Sequence, residues 1–119
     1  MTKSAALYTF FSGFGIPAYA DTAVPDDAEM PYITYQNVQD NWGNEVALTV
    51  NLWYRTTSEK PLNDKVDEIA DVLPKYVPCD GGAVLFSRGT PFAQALADNT
   101  DSMVKRRYMN ITAEYLTTK

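Results

Sequence analysis

The chain has no histidine and one cysteine, Cys79, among its 119 residues. These shortages remove most of the chemistry open to a small domain. Acid–base work near neutral pH, zinc binding and thiol catalysis all lean on His or Cys. A lone Cys forms no internal disulfide, which fits a reducing compartment, and without a His to activate it Cys79 reads as inert packing. The carboxylates are scattered. The adjacent Asp26 and Asp27 follow Pro25 in a loop and read as turn formers, whose side chains bond nearby backbone N–H groups. No catalytic residue, no metal site and no cofactor is expected.

Long apolar runs are missing too. Nothing approaches the roughly 18 consecutive apolar residues that span a bilayer, so no membrane partner is expected. Residues 5–11 form a short apolar run broken by Gly13, Gly15 and Pro17. Residues 18–20 (AYA) match a cleavage pattern, but the run is too short for a secretory leader, and export is not expected. Basic residues are outnumbered, with 10 Lys and Arg against 15 Asp and Glu and a formal net charge of −5. Affinity for nucleic acid rests on neutralised phosphates, so this balance argues against a DNA-binding role. The one basic run, Lys105, Arg106 and Arg107, reads as a strand edge or a solvated patch. Gly81 and Gly82 precede a strand rather than a helix and lack a following Lys-Ser/Thr, so they read as a tight turn and not as a phosphate cradle.

What the chain does have is aromatic, strand-forming sequence: eight Tyr, five Phe and two Trp. Its length and its 45% hydrophobic content suit one globular domain. A first helix is predicted over residues 3–11, because Ala6, Leu7, Phe10, Phe11 and Phe14 recur at helical spacings, with Thr2 or Ser4 as its cap. Residues 16–30 follow as a loop of about 15 residues, longer than most connections and suited to an arm or a partner contact. Residues 32–38 are β-branched and aromatic and read as a strand, and residues 39–45 as a hairpin turn.

Residues 45–55 alternate strictly. Val46, Leu48, Val50, Leu52 and Tyr54 share one face, with Ala47, Thr49, Asn51, Trp53 and Arg55 on a more polar one. A second helix over residues 61–73 presents Leu62, Val66, Ile69, Ala70 and Leu73 as one stripe, opposite Asp64, Lys65, Asp67 and Glu68. Pro61 suits its first turn and Pro74 its end. A loop through Cys79 leads to a strand at residues 83–88. Residues 89–96 read either as a short helix from Pro91 or as an extended bulged arm. A turn is expected at residues 98–101 and a last strand at residues 103–116, where Met109, Ile111, Ala113 and Tyr115 alternate with Tyr108, Asn110, Thr112 and Glu114. The expected fold is α+β, a single domain in the order α-β-β-α-β-β, with a mixed, mostly antiparallel sheet and both helices on one face.

Six stretches, 11–19 (FSGFGIPAY), 24–28 (VPDDA), 31–36 (PYITYQ), 52–58 (LWYRTTS), 88–94 (RGTPFAQ) and 107–117 (RYMNITAEYLT), follow one another in order along nearly the whole length of the chain. Together they resemble the tail terminator, tail completion or minor capsid proteins of long-tailed bacteriophages and prophages. The specificity lies in the series, since no single piece is a mechanistic motif. The resemblance implies a subunit that closes into a homo-oligomeric ring, typically a hexamer, on the head-proximal end of the tail tube. It implies the major tail tube protein and the head–tail connector or stopper as partners, and DNA only as a passenger through the lumen. Its location would be the virion neck, reached from the host cytoplasm. Tyr19, Val24 and Pro25 in the first loop, with Pro91 and Phe92 in the second segment, are the expected assembly contacts, because rigid aromatic and Pro groups lose little entropy on docking. Folding of Tyr19 and Phe92 back onto their own domain is the competing expectation.

Three other readings stay open at this point. A head-completion or stopper protein would bind connector in preference to tube. An adaptor or small-ligand binding domain would be a monomer with a deep apolar cavity. An enzyme would need carboxylates that converge only in space.

Overall fold

The computed structural model describes residues 1–97 and 100–119. Six strands form one sheet: β1 (Ala18–Ala20), β2 (Tyr32–Tyr35), β3 (Asn44–Arg55), β4 (Lys75–Cys79), β5 (Gly82–Ala97) and β6 (Val104–Thr117). Their order across the sheet is β1-β2-β3-β6-β5-β4. The β1–β2 pair is parallel and every other pair antiparallel. Helices α1 (Lys3–Phe11) and α2 (Lys60–Val72) supply the helical layer, so the fold is the α+β arrangement expected.

Helix α1 starts where the Thr2 hydroxyl oxygen accepts the Ala5 N–H at 3.1 Å. After a 3₁₀ turn, Ser12–Phe14, the chain reverses at Gly15 with φ +81°, a conformation that costs Gly little. Ala6, Leu7, Phe10 and Phe11 are buried. Phe10 stacks on Phe86 of β5 at 4.1 Å between centroids, and Phe11 stacks on Tyr35 of β2 at 4.7 Å. One helix thus bridges strands from both halves of the sheet. Helix α2 buries Leu62 and Ile69, while Lys65 donates to the Phe14 carbonyl at 2.6 Å and ties the two helical segments together.

The inner sheet face is the strictly alternating set: Leu48, Val50 and Leu52 on β3, with Met109, Ile111, Ala113 and Tyr115 on β6, all fully buried. These residues join those of the helices in one apolar cluster. The Tyr115 hydroxyl donates to the Val38 carbonyl and satisfies its one polar atom inside that cluster.

Several expectations need correction. The segment over residues 16–30 holds the strand β1, and the loop around Cys79 holds β4. Both are short edge strands, and Pro78 is tolerated on an edge because no neighbour asks for its N–H. The strand at residues 32–38 ends at Tyr35, since Gln36 turns its side chain to accept the Thr49 N–H at 2.8 Å. Residues 89–96 are extended and belong to β5, whose ladder with β6 shifts register between Arg88 and Ala93. A Cβ on Gly89 would lie 2.7 Å from the Asn110 Cβ, so the close approach at this bulge requires Gly. The basic run is not at an edge, because β6 lies between β3 and β5. Of the turn at residues 98–101, residues 98 and 99 lie outside the described residues.

Candidate assembly surface

The helices leave the second face of the sheet uncovered. Ladder partners share a face, so the register assigns it: Tyr32 and Thr34 of β2, Asn51 and Trp53 of β3, Arg106 and Tyr108 of β6, and Leu85 and Leu96 of β5. Tyr19 joins them through its pairing with Thr34. A row of rings results. The Tyr19 and Tyr32 centroids are 5.7 Å apart, Tyr32 and Trp53 are 6.4 Å apart, and the Arg106 guanidinium sits 5.2 Å from the Trp53 ring. The Trp53 indole N–H donates to the Thr34 hydroxyl at 3.0 Å and fixes the ring's orientation. All four side chains are half-buried by one another. The three rings are large and rigid, and Trp53 has its indole N–H satisfied, the kind of anchor that protein interfaces favour, while the Arg106 Nε is buried without a hydrogen-bond partner among the described residues.

The opposite end of this face is acidic. Glu45 of β3 and Glu114 of β6 are direct partners in the ladder, an arrangement that is unfavourable for like charges. Neither has an ion-pair partner among the described residues.

The expected contact residues fall into two groups that the fold keeps apart. Tyr19 and Pro25 line one shallow depression with Ile16, Asp27 and Met30. Pro25 also closes the turn through Asp26 and Asp27, its carbonyl accepting the Ala28 N–H at 3.1 Å. Val24 is half-buried in the same loop. Pro91 and Phe92 lie on β5, with β2, β3 and β6 between them and β1, or about 19 Å at the usual strand spacing. Pro91 is exposed and its carbonyl accepts from the Asn110 amide at 2.8 Å. Phe92 packs against the core with the Arg88 guanidinium 5.6 Å from its ring. Sequence reading put Trp53 on the more polar face of its strand and Arg106 in a strand edge or solvated patch, but named neither of them, nor Tyr32, as a contact residue. The available signal was a Trp at an outward position of a strand with strict alternation.

The titratable groups follow local causes. Burial, then the nearby Asp80, pushes the Cys79 thiol up, away from the reactive thiolate. Burial also raises the Tyr35 and Tyr54 phenols and pushes Tyr115 up to about 12. The Asn44 side-chain amide, then the Asn41 backbone N–H, lowers the Asp40 carboxyl. Among the described residues no three His, Cys, Asp or Glu side chains converge as a metal site would require. No helix among the described residues is long and apolar enough to cross a membrane. Comparison with protein-family models, curated proteins and solved structures finds no match.

Proposed function

We propose that this chain is a structural, non-enzymatic neck protein of a long-tailed phage or prophage. In this reading it is a tail terminator whose copies form a ring, with six as the number the resemblance implies, on the head-proximal end of the tail tube. The observation that carries it is the uncovered sheet face with its ordered row Tyr19, Tyr32, Trp53 and Arg106. A one-sided sheet that spends four large side chains on its outer face is built to be covered by protein.

The separation of the Tyr19–Pro25 group from Pro91 supports a heterologous contact, in which one flank of a subunit meets a different flank of the next. Such contacts give rings when the rotation closes. The excess of carboxylates suits a lumen through which DNA slides without sticking. The tube protein would meet one side of the ring and the connector or stopper the other. The protein would assemble in the host cytoplasm and remain in the virion.

Deletion of the gene from an inducible prophage tests this reading. Tails of uncontrolled length that fail to join filled heads, restored by supplying the chain in trans, are expected. Normal tails in the deletion would contradict it, and heads that leak DNA beside tails of normal length would favour a head-completion role.

A further inference from the structure

The charges of the uncovered face are laid out as a self-complement. On β6, Arg106 and Glu114 stand four positions to either side of Asn110. On β3, Trp53 and Glu45 stand four positions to either side of Thr49, and Thr49 is the ladder partner of Asn110. On β5, Leu96 pairs with Arg106 and Leu85 with Glu114. Arg106, Glu45 and Glu114 have no ion pair or side-chain hydrogen bond among the described residues. The chain therefore carries a like-charge pair at one end of the face and an unpaired cation at the other.

We propose that in the free protein a second copy of the chain covers this face, the two sheets stacked about a two-fold axis that crosses the strands at Thr49 and Asn110. The operation reverses strand direction and keeps each strand over its own copy. It sets Arg106 of one chain over the Glu114 and Glu45 pair of the other, about 26 Å along the strand, and does so twice. The same operation lays Leu96 over Leu85 and the large Tyr108 over the small Thr112. The ladder residues at the axis, Thr49 and Asn110, are small where two sheets about 10 Å apart approach most closely, and the β5 bulge at residues 89–92 stands beside them, with the exposed Pro91 accepting from Asn110.

Three strands over about 30 Å bury on the order of 1,000 Å² across both copies, the lower end of the range for specific interfaces, so the pair is weak and concentration-dependent. It belongs to the free chain and stands whether or not a tail tube is the eventual partner. A tube end or a neighbouring ring subunit would have to displace it.

Sedimentation velocity of the purified chain, from low to high micromolar concentration, tests the pairing. The mass should rise from monomer to dimer and stop there. Arg106→Glu and Glu114→Arg should each weaken the dimer by about tenfold or more, since like charges then meet twice. An equimolar mixture of the two variants should regain it, as should one chain carrying both changes. Should a reversal unfold the chain, Glu114→Gln serves instead. It relieves the repulsion with Glu45 within one chain, so at high dilution it should raise the melting temperature while still weakening the dimer. A monomer throughout the range, a mass above two chains, a dimer indifferent to both reversals, or no rescue on mixing would each overturn the proposal. A hexamer indifferent to Arg106 would do so while leaving the ring reading intact.

Discussion

Arg106 and Arg107 are neighbours on β6 and serve opposite faces of the sheet. The Arg106 guanidinium lies over Trp53 on the uncovered face. Arg107 is buried on the helical side, donating to the Asn63 side-chain oxygen at 2.8 Å and to the Glu59 carboxylate at 3.0 Å. The period of two in a strand splits what looks in sequence like a basic cluster. One half becomes a surface group, and the other ties β6 to the start of α2.

That split has a consequence for nucleic acid. With the basic run divided between two faces, no useful affinity for duplex DNA is expected at physiological salt. Fluorescence anisotropy with a labelled duplex checks it. Micromolar binding that falls steeply with added salt would reveal a basic surface and would remove the argument for a repelling lumen.

The helix–sheet contact is tested by two substitutions on α2. Ile69 is buried and Asp67 exposed. Ile69→Ala should cost about 2–5 kcal/mol, a large share of a small domain's stability, while Asp67→Ala should be nearly silent. Equal shifts in their urea midpoints would contradict the assigned face.

Two glycines should behave in opposite ways. At Gly82, φ is +153° and an added Cβ would lie 1.9 Å from the Leu116 carbonyl oxygen, whereas an added Cβ at Gly13 meets nothing within 4 Å. Gly82→Ala should therefore disrupt the β5–β6 ladder and lower the melting temperature sharply. Gly13→Ala should leave it close to that of the parent. Comparable melting of both variants would contradict the close approach at Gly82.

Tyr115 links stability to alkaline pH. Burial pushes its phenol from 10.0 up to about 12, so the folded state holds the proton longer than the unfolded chain. The associated stability is intact below pH 10 and is lost as pH rises from about 10 to about 12. Tyr115→Phe should flatten that fall without abolishing it, because Tyr35 and Tyr54 are raised too. An ultraviolet titration should show the last tyrosinate near pH 12 in the parent and not in the variant. Tyrosinate formation complete by pH 11 would contradict the assignment.

Most of the architecture was legible in the sequence where periodicity ran long enough. β3 and β6 alternate over more than ten residues, and the register keeps their apolar sets together. Both helices carry apolar spacings of three and four, with a cap or Pro at the start. What escaped was short or non-local. β1 has three residues and β4 has five including Pro78, too few for a period to emerge. The central place of β6 and the parallel β1–β2 pair depend on contacts between distant segments. Of the expected contact residues, Tyr19 lies on the uncovered face and Pro91 is exposed, while Phe92 packs on its own core. The aromatic row itself was hidden because its members come from four separate strands.

Negative-stain microscopy of the chain mixed with the tail tube protein that the ring account expects a neighbouring gene to encode is the most direct measurement of that account. Closed rings seated on one end of each tube, with tube growth arrested there, are the predicted result. Tubes that keep growing with bare ends, or a chain that binds the connector and ignores the tube, would contradict it.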